Sequence, residues 1–136
     1  MKTNEISIKV YQGKQIQASF YVLSRGNHSG KILSAPCPNC YAITAPPELA
    51  QLVQATAQIL YLSGKLTPLL RGSVIEFVSI ASYKKAFFHL WQTINLEKLQ
   101  KATATLSALQ QYLESIQSQQ ITVRQLIKTT ALAALK

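Results

Sequence analysis

Two cysteines stand three positions apart in Cys37-Pro38-Asn39-Cys40. That spacing lets two thiolates reach one zinc ion, as in a zinc knuckle. A structural zinc site takes four ligands, and the remaining soft donors are His28 and His89. A site completed by His28 (Cys37, Cys40 and His28) is the metal reading; a four-thiolate site shared between two copies is its variant. A redox pair needs a cysteine of low pKa, usually at a helix N-terminus, whereas Pro36 and Pro38 favour extended chain. The plainer reading is a structural loop, and no bound metal or other cofactor is expected.

A second cluster is Ser24-Arg25-Gly26-Asn27-His28-Ser29-Gly30-Lys31. Its Gly-x-x-x-Gly-Lys ending approaches a phosphate loop. The Walker pattern, however, places four residues between its glycines and a Ser or Thr after the lysine. Here three residues intervene and Ile32 follows. Strand follows where a helix N-terminus would have to hold the phosphate. What remains is a glycine loop carrying Arg25, His28 and Lys31 with no acid nearby, which suits contact with an anion. Arg71 beside Gly72 adds a fourth basic group at a glycine-flanked turn. Arg25, His28, Lys31 and Arg71 are therefore the candidate nucleic-acid contacts.

Enzymatic signatures are weaker. Glu76 lies in an apolar stretch; an inward carboxylate there would need Arg71 or Lys65 as partner. Ser24, His28 and Glu76 could be assembled on paper into a triad, but no Gly-x-Ser-x-Gly elbow accompanies them and the reading carries little weight. Glu76 has no second carboxylate near it in sequence and the chain has no Asp, which counts against glycosidase, aspartic-protease and two-metal nuclease chemistry. The residues favour a binding module over an enzyme.

The elements that must position these groups follow from periodicity. Ile6, Ile8 and Val10 alternate with Glu5, Ser7 and Lys9, a half-buried strand. After a turn at Gly13-Lys14, residues 16–23 are rich in β-formers and complete an expected hairpin. Ile32-Leu33 and Tyr41 to Thr44 read as further strands. Pro46-Pro47 opens a helix that Gly64 stops. Ser73 to Ile80 reads as a central strand, apolar on both faces. From Ser82, a candidate N-cap, the rest is helical: Phe87, Leu90, Trp91 and Ile94 share one face. After Asn95, Leu99, Ala102, Leu106, Leu109, Leu113 and Ile116 repeat at threes and fours. Ser118-Gln119-Gln120 is expected to break that helix, and Thr122 with Gln125 to cap a last one.

The expected class is α+β: a small antiparallel or mixed sheet of about four strands packed against helices, ending in a C-terminal helical hairpin. The whole of 1–136 reads as a single domain, with strands and loops over 1–44, helix over 45–63, strand over 72–80 and helix over 82–135. The helical pair is expected to cover the sheet. Phe20 and Tyr21 are candidates for stacking bases, with sheet core as their plainer role.

Charge narrows the partners. Fourteen Lys and Arg against five acids give +9, which draws polyanions without choosing among them. No apolar stretch is long enough to span a bilayer, and the N-terminus lacks the apolar core of a signal peptide, so a cytoplasmic protein away from membranes is expected. Nucleic acid is one expected partner. A protein partner or a second copy, held by the helical hairpin, is the other.

Three segments together carry a resemblance: Tyr21 to Lys31 with its Ser-Arg-Gly-x-x-x-Gly-Lys, Pro36-Cys-Pro-Asn-Cys40, and Leu70-Arg-Gly-Ser-Val-Ile75. The chain resembles a family of small, basic, uncharacterised proteins from Bacteroides and relatives, often encoded near mobile elements. The resemblance implies a bacterial cytoplasmic protein and transfers no catalytic residue. If the three segments form one surface, the two loops and the Arg71 turn meet at one end of the sheet.

Overall fold

Alternating apolar residues in four short segments build one antiparallel sheet: β1 (Ser7–Val10), β2 (Phe20–Leu23), β3 (Ile32–Leu33) and β4 (Cys40–Thr44). The computed structural model describes residues 5–13 and 17–135. The sheet order is β1-β4-β2-β3. β1 and β2 are thus not the hairpin expected from the Gly13 turn; Ile8 pairs with Ile43 and Val10 with Tyr41. The reason lies in β4, whose Tyr41 and Ile43 are flanked on both sides by apolar strands and belong at the centre. The hairpin's turn at Lys14 and the start of its second strand at Ile16 lie outside the described residues.

Period-2 alternation gives the sheet an inner face of Ile8, Phe20, Val22, Tyr41 and Ile43. Two helices cover it. In α1 (Ala50–Leu62), Val53, Ala57 and Leu60 face the sheet, and the buried Thr56 hydroxyl donates to the Leu52 carbonyl at 2.8 Å. In α2 (Ile80–Thr93), Tyr83, Phe87 and Trp91 recur every four residues and stack in one row, Phe87 and Trp91 at 6.3 Å and 11°. All three are fully buried. The outer face is thinner: Tyr21, Cys40 and Ala42, with Tyr11, Ala18, Leu33 and Cys37 against them. Phe20 and Tyr21 are therefore both buried, and neither offers a ring for stacking.

The expected central strand over 73–80 does not form. Val74 is 93% exposed and Ile75 is exposed as well. The chain turns back at Gly72 so that Arg71 faces Phe77, and α2 begins at Ile80. Ser79, rather than Ser82, caps α2: its hydroxyl accepts from the Ser82 N–H at 3.1 Å. A short alternating run cannot by itself be told from an apolar loop leading into a helix.

The C-terminal hairpin is likewise replaced. Asn95 does cap the next helix, its Oδ1 accepting from the Glu97 N–H at 2.8 Å. That helix, α3 (Leu96–Ala134), has 39 residues and passes through 118–120 without a break. Thr122 sits inside it and returns its hydroxyl proton to the Ser118 carbonyl. By contacts the chain divides into two units, Met1–Leu99 and Gln100–Lys136. Leu99 is the last buried residue of α3, and from Ser107 to Leu135 every residue is exposed. Within the first unit the sheet is covered by α1 and α2.

Candidate functional site

The segment following β2 holds three parts of the molecule at one point. The Ser24 N–H donates to the Asn39 carbonyl at 3.0 Å, which ties it to the cysteine loop. The Ser24 carbonyl accepts from the Val78 N–H at 3.0 Å, and the Gly26 N–H donates to the Glu76 carbonyl at 2.6 Å. The glycine loop, the Pro-Cys-Pro-Asn-Cys segment and the Arg71 turn therefore meet.

The Arg71 turn is a tight hairpin over 71–77. Arg71 and Phe77 exchange both backbone hydrogen bonds, at 2.8 and 2.9 Å. On its other side Phe77 lies opposite Arg25. Residues directly opposite in an antiparallel ladder point to the same face, about 4.5–5.5 Å apart at Cα. The order Arg25, Phe77, Arg71 thus sets an aromatic residue between two arginines on one face of the ladder. Both arginines are exposed, and the ring is 38% exposed. Pattern reading missed Phe77 because it assigned the ring to a buried strand; the glycine before Ser73 was the available signal of a turn.

Gly72 makes this geometry. Its φ is +107°, and a Cβ there would come 2.3 Å from the Ile75 carbonyl oxygen and 3.4 Å from the Phe77 ring. Gly72→Ala should cost about 1–3 kcal/mol of local strain and open the hairpin. Hydrogen exchange of the Arg71 and Phe77 amides is expected to accelerate markedly. Thermal melting should shift little, because 71–77 is exposed.

The other two basic residues lie on the far arm of the loop. Lys31 is exposed, and its carbonyl accepts from the Leu23 N–H at 2.9 Å where the loop closes. The His28 ring meets the Tyr61 hydroxyl at 3.3 Å, beside the end of α1. Gly30 seats this arm: its φ is +98°, and any Cβ would run into the buried Leu66 side chain at 2.2 Å. The structure therefore brings Arg25 and Arg71 to either side of Phe77 on the ladder, and sets His28 against Tyr61 of α1 with Lys31 exposed on the same loop.

Glu76 is exposed and contributes its carbonyl, so it is not the inward carboxylate expected in a strand. With His28 bonded to Tyr61, the Ser24–His28–Glu76 triad does not assemble. Among the described residues no group of three or more His, Cys, Asp and Glu comes together, so His28 does not complete a site with Cys37 and Cys40. The cysteines instead lock a turn: the Cys40 thiol donates to the Cys37 carbonyl at 3.1 Å, and its sulfur accepts from the Cys37 N–H at 3.4 Å. Burial pushes the Cys40 thiol up, which opposes the thiolate that a nucleophile or metal ligand requires. No described helix is long and apolar enough to cross a membrane.

Compared with known families, residues 8–133 match one described as a family of unknown function, DUF6943. No curated protein matches the chain, and no solved structure does.

Proposed function

Since the chain belongs to this family of unknown function, its role has to be argued from its own residues, and we propose that it is a non-enzymatic module that binds single-stranded nucleic acid. The observation that carries this reading is the exposed Phe77 between Arg25 and Arg71 on one face of a ladder. Unpaired bases stack on exposed aromatic rings whatever their sequence, while flanking cations follow the phosphates. A duplex keeps its bases stacked on one another and offers such a ring nothing. His28 and Lys31 extend the basic surface along the loop. The net charge of +9 and the absence of Asp support a polyanionic partner. A bacterial setting in the cytoplasm near mobile elements, implied by the resemblance to proteins of Bacteroides, agrees with it.

Fluorescence anisotropy with a labelled single-stranded oligonucleotide, in DNA and RNA forms, tests this directly. Phe77→Ala should weaken binding by about 1–3 kcal/mol for each base stacked, roughly 5- to 150-fold. Duplex binding should change far less. Undetectable binding to either single strand at low salt would end the proposal, as would a Phe77→Ala chain that binds as the native one does.

A further inference from the structure

The second unit of the chain is a helix whose apolar residues are exposed. Leu109, Leu113, Ile116, Val123 and Ile127 are each at least 40% exposed. An isolated helix in water is marginal, and most helical stability comes from packing of an apolar face. Their positions are ordered. Numbered in heptads, the a positions are Leu106, Leu113, Gln120, Ile127 and Ala134, and the d positions are Leu109, Ile116, Val123 and Thr130. The seam runs unbroken through 118–120, where α3 is continuous. Such a repeat of 3.5 residues is the pattern that keeps one stripe facing a partner helix.

We propose that α3 pairs with α3 of a second copy of this chain, as a parallel, in-register two-stranded coiled coil. Three features choose a second copy. The first is Gln120, the one amide among these a positions. A buried amide needs a hydrogen-bonding partner. In a parallel pair in register, a faces a, so Gln120 meets its own counterpart; in an antiparallel pair it would meet an apolar d residue such as Ile116 or Val123. A single polar a position is the best-attested device for fixing register in coiled coils. The second is charge. The flanking e and g positions are Gln110, Tyr112, Gln117, Gln119, Arg124, Leu126, Ala131 and Ala133, of which Arg124 alone is charged. Two copies of a chain carrying +9 can therefore meet along this seam without like charges facing each other. The third is area. From Leu106 to Ala134 the helix is about 43 Å long; with about 14 Å of its girth covered, each copy buries about 600 Å², roughly 1,200 Å² in total, which reaches the range of stable specific interfaces.

Sedimentation equilibrium of the full chain, freed of nucleic acid, tests the proposal. The expected mass is twice the 15.0 kDa of one chain. Leu113→Glu with Ile116→Glu should weaken association by about 100-fold or more and give single chains, because two unpaired carboxylates would be buried in the seam. Both positions are exposed in the single chain, so thermal melting of the Tyr83–Phe87–Trp91 core should be kept. Orientation is read with Gln120→Cys in a Cys37→Ser, Cys40→Ser chain, which should cross-link to itself under mild oxidation. A native chain that stays single at high concentration overturns the proposal. So does a mass of three or four chains, or a dimer that survives the Glu substitutions. A dimer in which Cys at position 120 fails to cross-link overturns the parallel register.

Discussion

Replacing Arg25, Lys31 and Arg71 together by alanine should flatten the salt dependence of nucleic-acid binding by about two units of slope in log affinity against log salt. Each phosphate neutralised releases counterions, contributing about −0.7 to that slope on single strands and about −0.9 on duplex. Three such contacts amount to about −2.1 on a single strand, so between about 50 and 200 mM salt the native chain should lose roughly 20-fold more affinity than the variant. All three side chains are exposed, so the substitutions remove no core packing and folding should persist. Phosphate contacts carry no sequence information, and the loss should be the same for oligonucleotides of different sequence. The control is Lys84→Ala with Lys85→Ala, two exposed lysines of α2 away from the Phe77 ladder. If that pair abolishes binding while the triple variant binds normally, the surface belongs to α2 and the ladder is not the site.

The basic residues of that surface were legible without coordinates, because an arginine beside a glycine at a turn announces itself by type and neighbour. The ring between them was not. Val74, Ile75 and Phe77 have strand propensity, and nothing in their order says that Gly72 will turn the chain back. Four strands and the helices around them were readable from alternation and from Pro46, Gly64 and Asn95. Strand order was not, since pairing of Ile8 with Ile43 depends on which strand is apolar enough to be central. At 118–120 the error had a different cause. Ser and Gln at consecutive positions read as a breaker, yet helix propensity differs little among such residues. In a heptad frame the same glutamine is one polar position of a continuous seam. The protein-partner reading was placed on the helical hairpin, and the continuous α3 takes that hairpin away while keeping the leucine spacing.

Alkaline pH should unfold this protein steeply, through three acids that the fold holds neutral. Burial raises the Tyr83 hydroxyl far above the usual tyrosine range, and raises Tyr41 as well. Burial is also the main cause of the raised Cys40 thiol. In the unfolded chain such groups ionise at about 8.5 for Cys and about 10 for Tyr. Below about pH 8.5 all three are neutral in both states, and their contribution to stability is fully present. As pH rises beyond those values the unfolded chain loses protons that the folded chain keeps, so stability falls. Each group adds to the slope, by up to about 1.4 kcal/mol per pH unit, only between its unfolded and its folded pKa, and the Tyr83 interval is the widest of the three. Urea midpoints across pH measure the slope, and tyrosinate absorbance of Tyr41 and Tyr83 should appear only in step with unfolding. Tyr83→Phe separates the contributions. Among the described residues the buried Tyr83 hydroxyl and Trp91 N–H have no hydrogen-bonding partner, so removing the hydroxyl should leave stability at neutral pH unchanged or higher. It should also lower the alkaline slope. Tyr41→Phe should behave differently at neutral pH, because the Tyr41 hydroxyl donates to the Val78 carbonyl and its loss leaves that buried acceptor bare, at about 1–3 kcal/mol. An alkaline slope identical in the native and Tyr83→Phe chains would show that Tyr83 ionises freely in the folded state, and that the row of rings in α2 is not the closed core described above.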